Sequence, residues 1–435
     1  MTRLAGGFLV GATSRLLPMS IPFRYFGAAI VFHLLAWLAV MAGAEQFPRF
    51  SGGFGWPLAA LHLVTLGVLT MTAIGASLQL LPVATRQPVG SIRWPAAIWW
   101  LYVPGVAAVA WGMGAGAPDV LGAGTLAVIV ALLVWAMLLA ANLRGARGMP
   151  GVVAHGWAAL GALAVTLAAA LSLAALYLGV PLLDRATALA LHIVFAAYGF
   201  MGLLAFGLAY ILVPMFALSA VPDERQAIVS CGLVVVALAA AALAATGFAP
   251  QALRVVALAL GGGAVALHLR LMREALRSGM RRQLGRSFTL VRIGWAALAA
   301  SLLAAFAIAM DVPLAGVQTL FGLALIGGWL LSFLLGMLQR ILPFLASMYT
   351  ARGGKRPPTP SALTAARPLA VHFHCHLAAL AGLLLSVLAD SPLLAALAAG
   401  VGAAGAIAYA VFFAMLFRRM RGHAATPRPG ILPPA

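Results

Sequence analysis

The sequence predicts an all-α polytopic membrane protein of twelve transmembrane helices, built from three pseudo-repeated four-helix units, and three observations lead there. The 435 residues are 64% hydrophobic and 8% charged, more apolar surface than one or two water-soluble cores can hide. Uncharged runs of about 20 apolar residues, enough to cross a hydrocarbon core of about 30 Å, recur along nearly the whole chain. A pattern of Gly, six residues, then Pro returns at intervals of roughly 130 residues.

The apolar runs place helices at 22–44, 57–83, 94–114, 119–143, 151–178, 186–214, 226–247, 251–272, 288–310, 314–344, 369–390 and 393–417. Pro57, Pro118, Pro181, Pro250, Pro313 and Pro392 fall at or near their ends, where a helix can start or stop. Little is left for a soluble domain. The chain reads as a single membrane domain, residues 1–435, with repeats near 16–149, 150–287 and 288–421 and a tail at 422–435.

The net charge of +19 follows the topology. Arg86, Arg93, Arg144, Arg147, Arg225, the cluster Arg270 to Arg286, the segment Arg340 to Arg367, and Arg418, Arg419, Arg421 and Arg428 fall in every second loop or the tail. The intervening loops keep Arg49, Arg185 and Arg254. By the positive-inside rule this predicts a bacterial-type inner membrane protein with both ends in the cytoplasm, and it makes the lipid bilayer, not nucleic acid, the partner of the basic surface. The run from Leu4 to Ala12 is apolar, but Arg15 and the lack of a small-residue cleavage site argue against a removed signal peptide. Cys231 and Cys375 sit near cytoplasmic helix ends, so no disulfide is expected.

The repeat lies in the second, sixth and tenth helices. They read HLVTLGVLTMTAIGASLQLLPV from His62, HIVFAAYGFMGLLAFGLAYILVPM from His192 and QTLFGLALIGGWLLSFLLGMLQRILPF from Gln318. Each closes on the same spacing, Gly75 to Pro82, Gly207 to Pro214 and Gly336 to Pro343. At about 1.5 Å per residue, His62, His192 and Gln318 fall roughly 7 to 12 Å below the outer surface. Two imidazoles and an amide thus share a layer. Imidazole is an axial ligand of haem and also suits copper, so His62 and His192 are candidate cofactor and metal ligands; a hydrogen bond to a neighbouring helix is the competing reading. His33, deeper in the first helix, is a candidate additional ligand.

A second cluster, HFHCH, opens the eleventh helix. His372 and His376 share a helical face, the spacing at which two imidazoles reach one metal, with His155 or His268 as further donors from the same side. His374 points elsewhere. Histidines that simply meet lipid headgroups are the competing account. Gly261 to Gly263 read as close helix packing, and the loop RLMREALRSGMRRQLGR as a solvated positive-inside loop.

Twelve helices in three units, with histidines near the outer start of the second helix and on the sixth, resemble subunit I of the haem-copper oxidases and the large subunit of nitric oxide reductase. The opening IPFRYFGAAIVF from Ile21, followed one helix later by His62, is similar to the NnrS family of haem- and copper-associated proteins linked to nitric oxide resistance. The resemblance implies haem b, with His62 as an axial ligand and His192 at a haem or metal position, copper as a second cofactor, and a redox partner or a gas ligand, nitric oxide or oxygen. It implies an oxidoreductase-like role. The tenth helix carries Gln318 and no histidine, and the seventh offers only Cys231, so a complete binuclear centre is not expected.

All eight acidic residues fall in loops by these spans, which leaves no intramembrane carboxylate for proton pumping. Two alternatives stand beside the haem reading: a twelve-helix transporter of a neutral or anionic solute, and a metal-free assembly or regulatory relative. A period of thirds sits poorly with the two halves of six helices found in major facilitators.

Overall fold

The computed structural model describes residues 17–87, 91–350 and 357–425. The run Leu4 to Ala12 and the tail beyond residue 425 lie outside the described residues. Among the described residues, twelve helices are long and apolar enough to cross a membrane: α1 Ser20–Ala42, α2 Trp56–Val83, α3 Arg93–Ala115, α4 Pro118–Arg144, α5 Pro150–Tyr177, α6 Arg185–Ala217, α7 Glu224–Ala245, α8 Pro250–Ser278, α9 Gly285–Ala309, α10 Val317–Thr350, α11 Ala366–Leu388 and α12 Pro392–His423.

Three helices outrun their apolar stretches. α8 continues to Ser278, α10 to Thr350 and α12 to His423, because Leu, Ala, Met, Arg and Glu propagate a helix after the hydrophobic run has ended. Glu274 therefore lies on the last turns of α8 rather than in a loop, exposed and paired with Arg270 one turn earlier. Gly261, Gly262 and Gly263 do not mark close packing, since a side chain added at any of them would meet nothing within 4 Å.

α2, α6 and α10 meet one another in the interior, which α1 shares. In α6, 83% of the most apolar window is buried, against 22% in α9. Trp329 of α10 packs against Tyr198 and Phe206 of α6, with ring centroids 5.8 and 6.3 Å away, and Thr70 of α2 faces Met201 of α6. Each of these helices contains a π-helical stretch, Leu63–Thr70, Phe195–Met201 and Leu323–Leu331. Such stretches insert an extra residue into the ladder and concentrate at functional sites.

Glycines in and beyond each stretch let the preceding helix approach. A Cβ at Gly67 would lie 2.7 Å from Phe32 of α1, one at Gly199 2.8 Å from Ala162 of α5, and one at Gly328 2.8 Å from Ala297 of α9. The glycines of the Gly-to-Pro spacing repeat the relation, with Gly75 against Tyr25 of α1, Gly207 against His155 of α5 and Gly336 against Ser287 of α9. Small residues permit backbone approach where lipid supplies no hydrophobic drive between helices.

The last helix closes on the first. The backbone of Gly402 in α12 lies under the indole of Trp37 in α1, where a Cβ would sit 2.3 Å from the ring, and Phe23 of α1 packs with Phe413 and Phe417 of α12. On the face opposite the two described ends, Arg49, in a short turn after α1, pairs with Asp390 between α11 and α12, its Nε donating to the carboxylate at 2.8 Å.

Candidate functional site

Two helix starts position the first pair of histidines. Gly55, at a φ of 143° open to glycine, donates its N–H to the carbonyl of Met113, and Pro57 then begins α2, so that His62 lies two turns inside. Asp184 caps α6 by accepting the N–H of Thr187 at 2.9 Å, a bond that holds its carboxyl below the usual range and puts His192 at the same depth. The two imidazoles face each other, ring centroids 6.2 Å apart and planes within 17°. His62 Nδ1 donates to the carbonyl of Leu58 at 3.0 Å, and His192 Nδ1 to that of Thr166 at 3.4 Å. A carbonyl can only accept, so both rings carry their proton on Nδ1 and keep a bare Nε2.

Two bare Nε2 atoms on rings at this spacing suit binding of one metal by both imidazoles. With about 2.0 Å from each nitrogen to the metal, two rings on opposite sides of one ion have centroids roughly 6 Å apart. Anchoring the second ring nitrogen on a carbonyl is also what orients ligating histidines. Both rings are half-buried, so the space beside them is not closed by protein.

The structure does not bring the other expected residues here. Gln318 is exposed at the start of α10, five positions ahead of its π stretch, whereas His62 stands directly before its own. His33 belongs to a different group. Its ring lies 6.0 Å from that of His372 of α11, and depth along α1 carried no information about which neighbour it faces.

Two of the three HFHCH histidines turn inward. His372 and His376 are fully buried, 5.8 Å apart by ring centroid, while His374 is exposed. His372 Nδ1 donates to the carbonyl of Gly405 at 3.1 Å, a contact that requires glycine because a Cβ there would lie 2.8 Å from Cys375. His376 Nε2 lies 2.8 Å from Ser332 Oγ of α10, and Ser332 Oγ in turn donates to the carbonyl of Gly327 at 3.0 Å. The ring of Tyr409 lies 4.8 Å from that of His372.

His155 and His268 join neither group. With Tyr210 they form a third cluster between α5, α6 and α8, in which the Tyr210 hydroxyl is 3.2 Å from His268 Nδ1 and Phe206 stacks on His268 at 3.8 Å. Tyr210, Ser332 and Tyr409 carried no sequence signal, because hydroxyl-bearing residues scattered through apolar helices share no spacing with the histidines. Among the described residues, no three His, Cys, Asp or Glu side chains already form a coordination shell.

No protein-family model and no curated protein sequence matches the chain. Among solved structures it is similar to a cryo-EM structure of a haem-copper terminal oxidase dimer, at 14% identity over 95% of this chain and 86% of that one, with a TM-score of 0.58. The match runs over nearly the whole length, so the twelve helices are arranged as they are in that oxidase, and the chain is a membrane protein with a haem-copper oxidase subunit I-like fold.

Proposed function

We propose that the chain is a haem-binding membrane protein in which His62 and His192 hold one b-type haem between α2 and α6, in a redox role or in the handling of nitric oxide or oxygen, and without a complete binuclear centre. The observation that carries this reading is the pair of facing imidazoles, 6.2 Å apart, each with its Nδ1 proton tied to a backbone carbonyl. When bound, haem supplies one-electron and gas chemistry. The residues present and orient: the carbonyls of Leu58 and Thr166 fix the two tautomers. The fold likeness to an oxidase supports this reading and does not favour the transporter.

The test is the reduced-minus-oxidised absorption spectrum of detergent-purified protein expressed with adequate haem. A Soret band with split low-spin bands is expected, and His62→Ala or His192→Ala should abolish the low-spin signature. Protein with neither a Soret band nor iron would overturn the proposal and favour the metal-free relative. The same reading places the protein in a bacterial-type inner membrane with both ends in the cytoplasm, as the distribution of arginine supports.

A further inference from the structure

The connection between α8 and α9 is held in place from two sides. Met280 and Arg281 donate their backbone N–H groups to the carbonyls of Leu218 and Ala217 at the end of α6, at 3.3 and 3.1 Å, and a Cβ at Gly279 would lie 2.7 Å from that Ala217 carbonyl. Arg340 of α10 reaches the start of α9, its Nε donating to Ser287 Oγ at 2.7 Å and its Nη2 to the carbonyl of Leu284. The result is a fixed shelf that displays Arg281, Arg282, Arg286 and Arg292, all exposed.

No carboxylate answers these charges. Asp223, Glu224 and Glu274 are the acidic residues on this face, and each is engaged elsewhere: Asp223 accepts the N–H of Gln226, Glu224 accepts that of Gly151, and Glu274 pairs with Arg270. Among the described residues, the side chains of Arg286 and Arg292 have no hydrogen bond or ion pair.

Arg292 is the decisive residue. It stands seven residues into α9, about 10 Å past the helix start, on an exposed stripe that continues through Ala296, Ala299 and Leu303. A lipid-facing cation at that depth is stable only where its long stem carries the guanidinium back to the headgroup phosphates. Helical side chains lean towards the helix N-terminus, which here is the headgroup end. Arg286, Thr289 and Arg292, all exposed, form one row at three-residue spacing, in which successive members are neighbours on the helix surface.

We propose that this row binds the phosphate of one anionic phospholipid, between the guanidinium groups of Arg286 and Arg292 and over the Thr289 hydroxyl, with an acyl chain along Ala296, Ala299 and Leu303. The guanidinium fork matches the oxygens of a phosphate. The headgroup is anionic because the cationic end of a zwitterionic lipid would enter the field of Arg281 and Arg282 with no carboxylate to receive it. The site is separate from the histidine groups and does not depend on haem.

The experiment titrates delipidated full-length protein in detergent with phosphatidylglycerol or phosphatidylcholine of identical acyl chains and counts bound lipid by native mass spectrometry. One tightly retained phosphatidylglycerol is expected, and Arg292→Gln or Arg286→Gln should each weaken it about fivefold. The Arg144→Gln, Arg147→Gln double variant, which removes two charges from the connection between α4 and α5 on the same face, should bind as the parent does. Inorganic phosphate should not displace the lipid, because the acyl chain supplies part of the contact. Equal retention of the two lipids, or equal weakening in the Arg144→Gln, Arg147→Gln variant, overturns the proposal by reducing the site to the general charge of the face. So does displacement by inorganic phosphate, or the loss from Arg292→Gln of an acidic protein chain in place of lipid. The comparison of the two lipids is made on the parent protein and decides the matter even where a variant does not fold.

Discussion

Each buried histidine here has one ring nitrogen fixed by a neighbour, and that neighbour decides what the other nitrogen can do. Ser332 is the clearest case. Ser332→Ala would leave His376 Nε2–H buried without an acceptor, at about 1–3 kcal/mol, which thermal unfolding in detergent should register as a lowered midpoint. A contrasting residue is Asp390, where the exposed Arg49 guanidinium holds the carboxyl below its usual range. Because the folded value is depressed, the stabilisation is present above the ordinary value of about 3.9 and is lost as pH falls through the folded one. Asp390→Asn should leave the melting midpoint at pH 7 nearly unchanged in high salt, and the variant should show less acid destabilisation than the parent below pH of about 4. At this scale the sequence conveyed depth but not direction: His62 and His192 share a layer that could be counted from helix starts, whereas the meeting of His33 with His372 depends on azimuth, which helices apolar on all sides do not encode.

Among the helices, glycine position separates packing from lipid exposure. A Cβ at Gly336 would lie 2.5 Å from the backbone carbonyl of Ser287, and backbone cannot move aside cheaply. Gly336→Ala should destabilise by about 1–3 kcal/mol, whereas Gly262→Ala, in open space, should be neutral or slightly stabilising through helix propensity; parallel melts of the two variants make the comparison. The Gly-to-Pro spacing was legible in the sequence, and its glycines do receive α1, α5 and α9 in turn. Those recurrent contacts support the proposal of three four-helix units at residues 16–149, 150–287 and 288–421. The π stretches were not legible, because the hydrophobic pattern around them has no phase to interrupt.

For the whole molecule, the arginine-rich ends and loops lie on one face and predict its orientation. A reporter active only in the cytoplasm should work when fused after Ala425 and fail when inserted between α5 and α6, near Val180. The twelve crossings were accessible from composition and run length, because the bilayer imposes them, and the oxidase-like arrangement entered through the resemblance carried by the repeat and its histidines. The grouping of His33 with His372 was not accessible, because it requires contact between residues distant in the chain. The π stretches of α2, α6 and α10 carry this further. Each residue inserted into a helix turns everything beyond it by about 100°, so the three central rods are read on one angular setting above the insertion and on another below. A helical wheel drawn through an entire central rod therefore mixes two faces, and homologues compared across those stretches should be aligned as two half-rods.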